Sequence, residues 1–352
     1  MMTSLSMSPS FNATNHNTSH SAAASDCSPA VKHVSLAVCL SLVFLVGLCL
    51  NCFSLFVFCS RIREWNAGTV LQFNLALSDS LATPATIMVA VYFAKNSWPF
   101  GWFMCQVKIA LLSTHFYGSI LFLMLISIHR YVMVVHFNRH SLMKQKAFVK
   151  KLCGGIWTLL LMNGVIFASL LPSSSTEDHS TQCLSIFQKE HTVTLFAINF
   201  LLFAVGFLLP FSVSAACYVR LARSVSQIST NTGHGSAVKS KSLRMIGICL
   251  VIFGLCFLPM NIIRTVGVVM KMFHSDRCDA LQRLEIAYYA SWVLAGVNGC
   301  LDPLIYFFGT RNFRKTLSKS LRYKVDDTID KKSESETVSH TNKRILVVDQ
   351  TQ

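Results

Sequence analysis

Seven apolar segments punctuate this chain, each long enough to span a hydrocarbon core about 30 Å thick, a distance that takes about 20 helical residues. They cover residues 34–59, 67–93, 105–135, 150–171, 193–220, 243–270 and 284–308. In lipid the backbone must satisfy its own donors and acceptors, so such runs are expected as helices. The expected fold class is all-α, a seven-transmembrane helix bundle. Composition agrees: the 352 residues are 52% hydrophobic and 13% charged, with a mean hydropathy of +0.48. That is too apolar for an ordinary soluble domain of this length. The net charge of +15 raises the question of nucleic acid. The basic residues fall between the apolar runs and in the tail, with no aromatic-interleaved basic domain, so no nucleic-acid partner is expected.

Orientation follows from where the cations sit. One set of loops carries Arg61 and Arg63, then Arg139, Lys144, Lys146, Lys150 and Lys151, then Arg220, Arg223, Lys239, Lys241 and Arg244. The tail after the seventh segment adds Arg311, Arg314, Lys315, Lys319, Arg322 and Lys324. The opposite loops are sparser and mixed in sign. The N-terminus is therefore expected outside and the C-terminus in the cytoplasm, in a multi-pass plasma-membrane protein. Residues 1–33 read as an extracellular tail with glycosylation sequons at Asn12 and Asn17, and without the basic start and apolar core of a cleavable signal.

Nine of the 13 cysteines lie inside the apolar segments, where they read as small buried hydrophobes. The other four, Cys27, Cys105, Cys183 and Cys278, all fall on the expected outer side, where disulfides persist. A Cys105–Cys183 bridge would pin the loop before the fifth segment over the bundle mouth. A Cys27–Cys278 bridge would tie the N-terminal tail to the loop before the seventh. Four cysteines allow three pairings, and the sequence alone leaves the choice open.

Polar residues inside the apolar segments are the candidates for function. Asp79, Ser119, Asn298 and Asp302 occupy three segments at similar expected depth, with oxygen ligands suited to a sodium ion or a shared proton. The competing reading is a hydrogen-bonded polar knot without an ion. No other metal or cofactor is expected. Pro259 and Pro303 interrupt the ladder of backbone hydrogen bonds and give the sixth and seventh helices places to bend.

The chain resembles a rhodopsin-like (class A) G-protein-coupled receptor over about residues 34–322. The resemblance rests on Asn51 in "GLCLN", Asp79 in "LALSD", Trp98 before Cys105, "HRY" at 129–131, Trp157, Pro210 with Tyr218, "FGLCFLP" at 253–259 and "DPLIYFF" at 302–308. It implies a receptor rather than an enzyme, one that promotes nucleotide exchange on a heterotrimeric G protein. It implies that Arg130 and Tyr131, with Tyr218 and Tyr306, form the coupling end, and that Phe253 and Phe257 relay ligand contact toward it. His129 stands where many members carry an aspartate, which removes a local partner for Arg130. Residues 309–322 are expected as an amphipathic helix on the inner leaflet, held by Phe313, Leu317, Leu321 and charge, since no cysteine follows Cys300. Residues 323–352 are expected to be a disordered cytoplasmic tail whose Thr328, Ser333, Ser335, Thr337 and Ser339 would be targets for a receptor kinase and arrestin.

Exclusions narrow the ligand. No acid lies between Cys105 and Tyr131 to pair with an amine, and residues 284–308 hold no lysine for a retinal Schiff base. What remains is a basic and aromatic outer bundle: Arg264, Lys108, Tyr288, Tyr289 and Trp292. "HRY", "CFLP", "DPLIYFF" and the extra pair Cys27/Cys278 resemble the purinergic-like branch, whose nucleotide members grip phosphate with His-x-x-Arg on the sixth helix. Here Asn261 replaces that histidine and Arg264 is kept. The expected ligand is an extracellular anion, a nucleotide-like phosphate or a small carboxylate, bound by Arg264. An anionic lysophospholipid or fatty-acid-derived lipid is the alternative. Proton sensing through His33, His179, His191 and His274 and a transporter without internal repeats are weaker readings.

Overall fold

The computed structural model describes residues 34–95, 97–135, 141–170, 183, 192–226 and 233–309. Asn12, Asn17, Cys27, His33, His179, His191 and residues 310–352 lie outside the described residues, and so does nearly all of the expected surface helix 309–322.

Seven rods form the bundle. They are α1 (Val34–Ser60), α2 in two pieces (Ala67–Ser80 and Thr83–Lys95), α3 (Gly101–Val135) and α4 (Lys146–Leu170). Then follow α5 (Thr192–Leu201, Leu202–Leu208 and Leu209–Ser226), α6 (Gly233–Ile252, Phe253–Phe257 and Leu258–Phe273) and α7 (Cys278–Gly309). The first six are long and apolar enough to cross a membrane. The seventh is as long, but Glu285, Asn298 and Asp302 dilute its hydropathy. The bundle is polar inside and apolar outside. Asn51, Asn298 and Asp302 are fully buried, while Leu42, Leu161, Val165 and Leu255 are exposed on its flanks. That inversion suits hydrocarbon as the surrounding medium.

Four prolines act in three ways. Pro84 lacks the N–H that would continue α2, and the helix breaks at Leu81–Ala82 and restarts at Thr83. The single second segment expected from hydropathy is therefore two pieces. At Pro210 and Pro259 the preceding turn widens to π geometry, over Leu202–Leu208 and Phe253–Phe257. The wider turn takes up the clash between the ring and the carbonyl four residues back. The discontinuity in α6 thus lies in the turn ahead of Pro259.

Pro303 sits inside a continuous α7. Its missing N–H leaves the Gly299 carbonyl without a helical donor, and Asn51 of α1 supplies one. Its Nδ2 donates to Gly299 O at 2.8 Å and to Gly47 O at 3.0 Å. Small residues allow the close approach that such bonds need. A Cβ at Gly296 would fall 2.6 Å from the Phe44 ring of α1, and one at Gly118 would overlap the Ser78 hydroxyl of α2.

Asn51→Ala is expected to cost about 1–3 kcal/mol, because it orphans a buried carbonyl. In a Pro303→Ala background, where residue 303 regains its N–H, most of that cost should vanish. Thermal melts of the two single variants and the double variant in detergent test this; additive losses would refute it.

Candidate functional site

A cavity of about 200 Å³ lies among α3, α5, α6 and α7, with Phe44 of α1 at one side. Its walls are apolar, built by residues such as Ile109, Leu112, Phe116, Leu195, Leu202 and Met260. The polar exceptions include Arg264 and Lys271 from α6, Asn199 from α5, Tyr288 from α7, and His115 and Tyr117 from α3.

Arg264 is held from three helices. Its Nε donates to Asn199 Oδ1 at 2.8 Å, its Nη1 to Tyr117 Oη at 2.8 Å and its Nη2 to Asn261 Oδ1 at 3.3 Å. Asn199 also donates to Thr265 Oγ1 at 3.1 Å, and Asn261 donates to the Phe257 carbonyl at 2.9 Å. Among the described residues no carboxylate lies within ion-pair distance of the guanidinium. These three acceptors are neutral, so they orient the charge without compensating it. Asn261 is fully buried and does not line the cavity; it positions Arg264.

Lys108 has a different role from the one its charge suggests. It is fully buried, does not line the cavity, and its Nζ donates to the Cys183 carbonyl at 3.1 Å. Three rings surround the ammonium: Trp98 at 5.0 Å, Tyr92 at 5.8 Å and Trp292 at 5.9 Å. Such contacts contribute about 0.5–2 kcal/mol each. The Cys105–Cys183 disulfide forms one turn earlier on α3, so Cys183 is fastened twice to the same helix. Cys278 is also disulfide-bonded, and Cys27, its expected partner, lies outside the described residues. Trp292 separates the two sites, with one neighbour in the lysine cage and its ring in the cavity wall.

Below the cavity lies the polar cluster. Ser119 Oγ is 2.7 Å from both Asp79 Oδ1 and the His115 carbonyl. Asp302 lies against Asp79 and Asn298. Asp79 Oδ2, both Asp302 oxygens and both polar atoms of the Asn298 side chain are buried without a hydrogen-bond partner. Two buried carboxylates with orphaned oxygens fit a small hard cation, since each orphan costs free energy that a ligand sphere would recover. His115 belongs to the same neighbourhood, with Nδ1 3.2 Å from Asp79 Oδ1. In the sequence it is a polar interruption of the third span with no assigned role, although it sits one turn before Ser119 on the same face of α3.

Toward the other end, rings run in a continuous series. Tyr117 meets Phe116 at 5.1 Å and Phe116 meets Phe257 at 5.2 Å. Phe257 meets Phe253 at 6.0 Å, and Phe253 meets Phe211 of α5 at 6.0 Å. The π turn of α6 thus carries both of its expected relay residues. Arg130 is near Cys249 of α6. Tyr131 and Tyr218 pack around Val134, Cys217, Leu221 and Ile246, whereas Tyr306 is buried against Phe58 of α1 at 5.5 Å. His129 faces α2, where a Cβ on Gly68 would stand 3.0 Å from its ring.

Residues 50–306 match the family described as seven-transmembrane receptor (rhodopsin family). Human purinoceptor 2 of the Y series is 32% identical over 282 residues, covering 78% of this chain and 73% of the relative. Rat purinoceptor 4 of the same series is 33% identical over 297 residues, covering 83% and 80%. Mouse lysophosphatidic acid receptor 4 is 32% identical over 283 residues, covering 78% and 74%. By that match and these relatives, the chain belongs to the rhodopsin family of seven-transmembrane receptors, as a G-protein-coupled receptor of its purinergic-like branch and not an enzyme.

Proposed function

We propose that this receptor lies in the plasma membrane with its N-terminus outside, and that an extracellular ligand places an anionic group on Arg264. One observation carries the reading: a guanidinium held by three neutral oxygens opens on a cavity whose walls are mostly apolar and whose charged lining residues, Arg264 and Lys271, are both cations. A charge in so dry a site is costly without a counter-charge, and a phosphate or carboxylate supplies it with bidentate hydrogen bonds. The relatives bear the names of purinoceptors and of a lysophosphatidic acid receptor. The apolar walls favour the amphiphile over a nucleotide, because a base and a ribose would need more hydrogen-bonding partners than these walls offer.

The ligand competes with Tyr117 and Asn199 for Arg264 and so alters how α3, α5 and α6 hold one another. The ring series from Phe116 through Phe257 to Phe253 passes that change to the π turn. Its consequence at Arg130, Tyr131, Tyr218 and Tyr306 is access for a heterotrimeric G protein, as a population shift between two bundle arrangements. Asp79, Ser119, Asn298 and Asp302 hold a sodium ion that favours the resting arrangement. Pro303, kept within α7 by the Asn51 bond, is where that helix yields. A receptor kinase and arrestin act on the C-terminal tail.

In cells expressing the receptor, Arg264→Ala should weaken the response to the anionic agonist by about 10- to 100-fold, with surface expression retained. Oleoyl lysophosphatidic acid, adenine and uracil nucleotides and small carboxylates form the panel, and unaltered potency of the active compound would refute the assignment. For the cation, the wild-type melting temperature should be higher in sodium chloride than in choline chloride, and Asp79→Asn should abolish the difference. Equal melting in both salts would leave the cluster as a polar knot.

A further inference from the structure

The cavity has a second polar end that the anion reading does not use. His115 lies two residues before Tyr117, so about 200° of helical turn puts it on the opposite side of α3 from the residue that binds Arg264. There it lines the cavity together with Phe44 of α1 and Ala295 of α7, and meets the Phe44 ring edge-on at 5.6 Å. Its side chain is 4% exposed. Its Nδ1 approaches Asp79 Oδ1 at 3.2 Å, off the hydrogen-bonding direction, and its Nε2 has no partner. A buried imidazole nitrogen left unbonded is costly, and the cavity walls near it, Phe44 and Ala295, offer it no partner.

We propose that His115 is a second ligand-recognition point, and that the receptor takes a bipolar amphiphile: an anionic head on Arg264, an apolar chain across the cavity and a hydroxyl on the imidazole. The proposal rests on the Arg264 reading for the head group. Nε2 is the ring nitrogen left without a partner at the cavity, and it needs a group able to form a hydrogen bond. A hydroxyl can donate to that nitrogen or accept from it, and an alkane chain can do neither. Separation between the two points then selects chain length, because a hydroxyl short of the imidazole or beyond it is desolvated without return.

A series of unbranched carboxylates from hexanoate to hexadecanoate, each paired with its ω-hydroxy form, serves as a ruler. Binding is read as the shift in melting temperature of the purified full-length receptor and as half-maximal concentration in cells. In the wild type, ω-hydroxylation should improve affinity about 10-fold at one chain length and weaken it at the others. His115→Phe should remove that gain at every chain length, and His115→Gln should restore part of it. Arg264→Ala should abolish binding of both series. A hydroxyl that never improves binding, or a gain that survives His115→Phe, overturns the proposal and leaves the Arg264 reading standing. Failure of every carboxylate to bind the wild type overturns both. The wild-type length dependence decides the matter alone if a variant does not reach the cell surface.

Discussion

The hydrogen bond from Asn51 to the Gly299 carbonyl carries more of this architecture than its 2.8 Å suggests. Within hydrocarbon no water repairs a gap in a helical ladder, so a proline in the seventh helix is tolerable only where another side chain fills the gap. Asn51 does so from the first helix, which fixes the depth of α1 against α7. That depth in turn seats Phe44 on Gly296 and brings it to the edge of His115. The same region of α7 presents Asn298 and Asp302 to Asp79. The cluster, the wall of the cavity and the packing of α1 therefore share one origin, a carbonyl that its own helix cannot satisfy.

The arginine and lysine sites illustrate how differently one bundle can treat buried cations. Lys108 serves structure: a carbonyl and three aromatic faces take up its charge, and Cys183 is held as a result. Arg264 is oriented rather than neutralised. Tyr117, Asn199 and Asn261 fix its direction and supply no counter-charge. Because those partners come from three helices, whatever binds Arg264 acts on the contacts among α3, α5 and α6.

Much of this was legible in the sequence. The seven spans follow from hydropathy, and the polar residues of α2, α3 and α7 stand out because carboxylates are rare in apolar runs. Prolines were visible as interruptions, but not what each would do. A broken helix at Pro84, a π turn before Pro259 and a continuous helix at Pro303 differ through neighbours that only the fold supplies, Asn51 above all. Lys108 and Arg264 look alike as cations in the outer halves of their helices. Their separation depends on Trp98 and the Cys183 carbonyl, which are remote from α6 in sequence. His115 stands out in the sequence only as a polar residue in the third span, because a histidine in an apolar run has no distinguishing spacing until Asp79 and the cavity are set beside it.

The place of His115 on α3 also bears on how the receptor is wired. Tyr117 touches Arg264, and Ser119 touches Asp79, with His115 reaching both the cavity and the same aspartate. The stretch 115–119 of α3 thus joins the anion end of the cavity to the carboxylate cluster without passing through any loop. A helix is stiff over so short a length, so any displacement of Tyr117 is felt at Ser119 and His115 with little loss. The ring series on the other face of α3, through Phe116 to the π turn of α6, receives the same displacement. A π turn holds its backbone bonds less tightly than an α turn, which makes it the compliant element in an otherwise close-packed core. Cavity, carboxylate cluster and compliant turn then meet on one segment of one helix, and the polar residues that cost stability there are the ones on which the proposed switch between two arrangements depends.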